Sequence, residues 1–210
     1  MSSRDEILAS VARSLRAGGA FVPAVEHPPV PPVHLTRHSG EAPRLAAFCD
    51  RVREGGGEIV QTKADRLDET LRVRIGPADR ALIRLQSRAS GFDTGDLPTD
   101  AHDLEGLDVF VCEATLGVAE NGAVWLSESR MGLRAAPFLA NRLVVVLRER
   151  DIAADMHDAY ERIRIDEEGF GLFIAGPSKT ADIEQSLVVG AHGPAAHTVI
   201  LVAEEGAEAD

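Results

Sequence analysis

Short runs of branched aliphatic residues punctuate this chain, and they constrain its fold more than any other feature. They are "GLDVFVCEA" (Gly106 to Ala114), "RLVVVL" (Arg142 to Leu147), "GLFIAG" (Gly171 to Gly176) and "HTVILVA" (His197 to Ala203). None alternates cleanly between apolar and polar residues, so each reads as a strand with both faces covered. Segments with helical spacing lie between many of the runs. Strands alternating with helices predict an α/β fold: a mostly parallel sheet with helices on both faces.

Two further strands are expected, Glu58 to Thr62 and Arg80 to Leu85. Helices are expected over Ala42 to Glu54, with Leu45, Phe48 and Val52 inward, and over Ala64 to Gly76, with Leu67 and Leu71 inward. Another starts near Asp151 or Asp155. "GVAENGAVWLSES" (Gly117 to Ser129) reads as two short strands around the tight-turn pair Asn121-Gly122. "TADIEQSLVVG" (Thr180 to Gly190) reads as a helix, capped by Thr180 or Asp182.

The chain starts with an amphipathic helix, in which Ser3 and Glu6 have capping-box spacing and Gly18-Gly19 stops the run. "FVPAVEHPPVPPVHL" (Phe21 to Leu35) follows, and its prolines favour an extended strap. The expected organisation is therefore an N-terminal arm over residues 1–38, an α/β domain over 39–203 and an acidic tail over 204–210.

Composition removes several functional classes. The net charge is -12, which argues against nucleic acid and anionic membranes, since both need basic surface. Two cysteines, Cys49 and Cys112, cannot hold a four-cysteine iron–sulfur cluster, and the histidines show no metal-site spacing. Hence no metal and no iron–sulfur cluster is expected on this chain, and no cofactor motif identifies another group. The N-terminus is charged rather than a signal sequence, and no apolar run reaches membrane-spanning length, so a cytoplasmic protein is expected.

Four places could carry chemistry. Gly176, Pro177, Ser178, Lys179 and Thr180 follow an apolar run. At the carboxyl end of a parallel strand and the start of a helix, they would form an anion site of free N–H groups, hydroxyls and an ammonium. An ordinary strand-to-helix cap uses the same residue types. Only Lys63 and Lys179 are lysines among 22 basic residues, which singles Lys179 out. Glu120, before Asn121 and Gly122, could act as base or nucleophile at a loop tip, or be a solvated acid on a hairpin. His192, between two glycines, is a candidate proton donor or a turn histidine. Arg130 and Arg134 could clamp a carboxylate. Cys112 reads as a buried small hydrophobe and Trp125 as core or pocket wall.

"GPSKTADIEQSLVVGAHGP" (Gly176 to Pro194) resembles the C-terminal signature of the lactate-utilization domain (LUD) family, in its lactate utilization protein C group. "EATLGVAENGAVWL" (Glu113 to Leu126) resembles that family's central motif, with Asn121 where threonine is usual. The resemblance spans about Ser39 to Val202. It implies a fold related to the sugar-phosphate isomerase and coenzyme A transferase superfamily. It also implies a part in oxidising L-lactate to pyruvate, with iron–sulfur partner proteins that carry the clusters. "AENG" is further similar to the Ser-Glu-Asn-Gly of coenzyme A transferases, whose glutamate is the nucleophile. Ala119 departs from that pattern.

Three functions follow. The first is a non-cluster subunit of a lactate-oxidising system, binding a small anion at Gly176 to Thr180 beside Glu120 and His192. The second is a stand-alone coenzyme A transferase or sugar-phosphate isomerase-like enzyme using Glu120. The third is a non-catalytic assembly protein that docks through its N-terminal arm.

Overall fold

The computed structural model describes residues 3–17, 41–78, 80–85, 98, 100–180, 188–190 and 192–203. The chain divides into two units, Met1–Leu35 and Thr36–Asp210. In the first unit, helix α1 (Ser3–Ala17) exposes Ile7 and Leu8. The proline-rich strap and the acidic tail lie outside the described residues.

The second unit is built on five parallel strands: β1 (Glu58–Lys63), β2 (Ala81–Arg84), β3 (Val109–Glu113), β6 (Arg142–Arg148) and β11 (Ala196–Ala203). Their order is β1-β11-β6-β3-β2, and every neighbouring pair is parallel. Successive side chains of the inner strands feed opposite cores. Phe110, Cys112, Leu143, Val145, Leu147, Val199 and Leu201 enter one. Val109, Val111, Val144, Val146, Ile200 and Val202 enter the other. This two-sided burial is why those runs lack polar alternation. Helix α2 (Glu41–Glu54) covers the first face with Phe48 and Val52. Helix α3 (Leu67–Ile75) covers the second with Leu67, Leu71 and Ile75.

A smaller sheet packs beside α2. It contains β4 (Leu116–Val118), β5 (Val124–Ser127), β7 (Ile152–Ala153) and β8 (Gly171–Ile174), in the order β7-β4-β5-β8. Val124, Leu126 and Ile152 face the main core, while Leu116, Val118, Trp125 and Ala153 form a third cluster with Ala159. Ala159 belongs to α6 (Met156–Arg162), whose N-cap Asp155 accepts the Asp158 N–H at 2.9 Å. Three one-turn helices complete the connections: α4 (Glu128–Met131), α5 (Ala136–Leu139) and α7 (Ile165–Glu168).

Two local expectations fail. "GLFIAG" supplies β8, which runs antiparallel to β5 in the small sheet rather than joining the parallel one. The helix expected from Thr180 to Gly190 is replaced at both ends by a ribbon. There β9 (Lys179–Thr180) pairs antiparallel with β10 (Val188–Val189); residues 181–187 lie outside the described residues. β-branched Thr180, Val188 and Val189 suit paired strands. The Gly190 N–H donates to Ser178 O at 3.1 Å, closing the ribbon's base.

The main sheet's amino edge is crowded. The β4–β5 hairpin turns at Gly122, whose φ is +71°. A Cβ there would lie 2.7 Å from Val52 N, at the end of α2. Gly176, with φ +80°, comes equally close: its Cβ would lie 2.6 Å from Gly55 O. Replacing either glycine by alanine is expected to cost roughly 1–3 kcal/mol in backbone strain before the steric clash is counted. Urea melts of Gly122→Ala and Gly176→Ala check this. Wild-type midpoints would show that the α2 end yields freely.

His197, near the start of β11, is 2% exposed, and neither ring nitrogen has a hydrogen-bond partner. Burial lowers its pKa to about 4, from an ordinary value near 6.5. The neutral ring is therefore the folded form. Stability is full above the unfolded value and falls as the pH drops from about 6.5 towards 4, by up to roughly 3 kcal/mol. His197→Leu should flatten this part of the pH–stability curve. An unchanged acid slope would place the sensitivity in other groups.

Candidate functional site

The expected anion loop lies at the amino edge of the parallel sheet. Ser178 N–H donates to Pro194 O at 2.9 Å, just before β11, and Ala195 N–H donates to Asn141 O at 2.8 Å, just before β6. Lys179 lies over Gly56: a Cβ on that glycine would be 3.4 Å from Lys179 Nζ and 3.6 Å from Pro177 Cγ. Gly55 and Gly56 follow the last turn of α2, so the ammonium sits near a helix carboxyl end. The N–H groups of Gly55, Gly56 and Gly57 already cap the carbonyls of Arg51, Arg53 and Val52, and the helix dipole there favours a cation. The carboxyl-edge placement expected for this loop therefore fails, and a helix start after Thr180 would fall on residues 181–187, outside the described residues. The remaining support is Lys179 itself, which has no ion-pair partner among the described residues.

Several expected residues do converge here. Gly193 backs onto Ser178, with a would-be Cβ 3.1 Å from Ser178 Cβ, which brings the neighbouring His192 to the loop. The pairing Val124↔Ile174 aligns the residues before Val124 with those after Ile174. The Asn121-Gly122 turn and the Gly176 loop thus leave the same end of the small sheet, and both pack on the end of α2. Asn121 Oδ1 accepts the Ala123 N–H at 3.0 Å, which shapes the turn. Thr180 is a strand residue paired with Val188. Glu120 is exposed, and its Oε2 accepts the Met156 N–H at 3.0 Å, at the start of α6.

Arg134 is elsewhere. It makes a bidentate pair with Glu128, at 2.7 and 2.9 Å, and stacks 4.5 Å from the Phe170 ring centroid. The pair lowers the Glu128 pKa and raises that of Arg134, through their hydrogen bonds first. Glu128 follows β5, at the opposite end of that strand from the Asn121-Gly122 turn. Arg134 therefore does not join the loop.

The carboxyl edge holds polar residues that sequence reasoning passed over. Glu113 ends β3, is 8% exposed, and pairs with Arg130. Ser127 is buried and its Oγ lies 3.1 Å from Ser129 Oγ, which donates to Glu168 at 2.7 Å. A cleft of about 230 Å³ opens nearby, with Trp125 in its wall. The available signal was an acid closing an apolar strand, because ligands in parallel sheets bind beyond the carboxyl ends. Burial pushes the Cys112 thiol up, so it is packing material rather than a thiolate nucleophile. Among the described residues, no His, Cys, Asp or Glu cluster could hold a metal ion, and no helix is long and apolar enough to cross a membrane.

Residues 99–202 match the LUD domain family. Lactate utilization protein C of Geobacillus sp. (strain WCH70) is 26% identical, over 96% of this chain and 96% of its own length. The protein of that name from Bacillus subtilis (strain 168) is 27% identical over 95% and 94%, and the one from Deinococcus radiodurans is 28% identical over 82% and 86%. A crystal structure of a DUF162 family protein from Deinococcus radiodurans superposes with a TM-score of 0.59, covering 78% of this chain and 98% of that one. At 18% identity it shows the fold alone. In this domain match, these relatives and this α/β fold, the chain is similar to the LUD domain family, over residues 99–202 by the family's own pattern.

Proposed function

We propose that this protein takes part in lactate utilization, as a non-cluster subunit of a system that oxidises L-lactate to pyruvate. The observation that carries the reading is similarity along nearly the whole chain: a relative named lactate utilization protein C aligns over 96% of it. Oxidising lactate releases two electrons, and their acceptors in this reading are iron–sulfur partner proteins. With cysteines only at 49 and 112, this chain is suited to a cluster-free role.

The small anion binds at the amino-edge loop in this reading. Lys179 supplies the charge and Ser178 a hydroxyl, while Gly176, Pro177 and Thr180 shape the loop. Asn121 and Gly122 set the neighbouring turn. Glu120 and His192 are the ionisable groups beside it. A point charge with rotatable donors suits a small carboxylate. Arg134 has no part, because Glu128 already occupies its guanidinium fork. Coenzyme A transfer through Glu120 is less favoured, because the carboxylate accepts the Met156 N–H.

Deleting the gene in its host and assaying L-lactate oxidation in extracts tests the proposal. Activity should fall, return with the wild type, and bring down iron–sulfur proteins with a tagged copy. Lys179→Ala should restore less than about a tenth of the activity while remaining folded, since a charged contact is worth roughly 1.4 kcal/mol or more. Glu120→Gln keeps an acceptor for Met156 N–H, so a loss of roughly 100-fold would mark proton transfer, and full rescue a cap. Unchanged lactate oxidation after deletion would remove the lactate reading.

A further inference from the structure

The cleft at the carboxyl edge is separate from the loop discussed above. Thr115 enters it two residues after β3, and Asp151 enters it three residues after β6. These two strands are neighbours in the parallel sheet. This is the sheet edge where parallel α/β folds place ligands. A volume of about 230 Å³ is roughly eight waters at ~30 Å³ each, which limits a ligand to a small molecule.

Its charges are unbalanced. Arg162 lines the cleft, but Asp158 holds it with hydrogen bonds of 2.8 and 2.7 Å. Arg164 also lines it and has no ion-pair partner among the described residues. Against that one open guanidinium stand the carboxylates of Asp151, Glu167 and Glu168. Glu168 accepts a hydrogen bond from the Ser129 hydroxyl, which leaves its charge in place. Asp151 meets Arg150 at only 3.9 Å across exposed surface, where such a pair is worth little. Trp125 walls the cleft at 6% exposure, braced by Phe173 at 4.7 Å between centroids.

A plain carboxylate would reach Arg164 but meet three like charges. A plain amine would meet the carboxylates but be repelled by Arg164. A molecule bearing both groups satisfies both sides, with Trp125 as a fixed apolar wall. We propose that this cleft binds a small zwitterion of the α-amino-acid class, with its carboxylate on Arg164 and its ammonium among Asp151, Glu167 and Trp125. This does not rest on the lactate reading, and L-lactate, expected at the amino-edge loop, is the negative control for the cleft as read by Trp125 emission.

Trp125 is the only tryptophan, so intrinsic emission of the full chain reports from the cleft wall. L-alanine, L-lactate and ethylamine would be titrated, with calorimetry on the same samples. L-lactate matches L-alanine in size and carboxylate but carries a hydroxyl in place of the ammonium; ethylamine lacks the carboxylate. L-alanine should bind saturably, about tenfold or more tighter than either control. Arg164→Leu and Glu167→Gln, with unchanged circular dichroism, should each weaken it about fivefold or more. Neither heat nor emission change with L-alanine up to about 20 mM, above the millimolar affinity expected of so small a ligand, overturns the proposal. So does an equal response of the Trp125 emission to L-lactate or ethylamine, or wild-type affinity in both variants; heat from L-lactate with no emission change belongs to the amino-edge loop.

Discussion

Everything in the larger unit hangs on strands β3, β6 and β11 being buried on both faces. Alternate side chains of each enter cores on opposite sides of one sheet. Neither core can form without the strands that also build the other. On one side α3 supplies Leu67, Leu71 and Ile75. On the other, α2 and the small sheet share the cover, and α6 closes the small sheet's far face. Parallel strands need crossovers, and these crossovers carry all the local chemistry to one sheet edge or the other.

The two edges differ in character. At the amino edge, backbone meets backbone closely at Gly122 and Gly176, and a lysine lies over the end of α2. At the carboxyl edge, Glu113 pairs with Arg130, Glu128 pairs with Arg134, and a small cleft opens beside Trp125. The first arrangement is positioned by glycine approach and the second by charge pairing. The small sheet spans both, since the Asn121-Gly122 turn precedes β5 and the Glu128–Arg134 pair follows it.

The α/β class was legible because two-sided burial leaves a direct trace: runs such as Leu143 to Leu147 must be apolar throughout. The hairpin at Asn121-Gly122 was legible because only a few residues tolerate its backbone. What stayed hidden was partnership. "GLFIAG" is as apolar as the parallel strands, and its pairing with β5 depends on residues far away in the chain. The misplacement of the Gly176 loop follows from that one ambiguity, since the carboxyl end of an antiparallel strand need not lie at the parallel sheet's carboxyl edge. The segment from Lys179 to Val189 carries both helical spacing and β-branched ends, and pairing across the ribbon decided for strand at both ends. Arg130 could not be matched to Glu113, or Arg134 to Glu128 and Phe170, because those contacts exist only in the folded chain.

If the anion linked to lactate utilization binds at the amino-edge loop, L-lactate must perturb that loop and leave the carboxyl-edge cleft alone. The most direct measurement is a titration of the full isotope-labelled chain with L-lactate, followed by backbone amide shifts. Saturable shifts are expected at Ser178, Lys179 and Gly122, with Thr115 and Arg164 unmoved. Shifts confined to Thr115 and Arg164, or none at any of these residues, would contradict it.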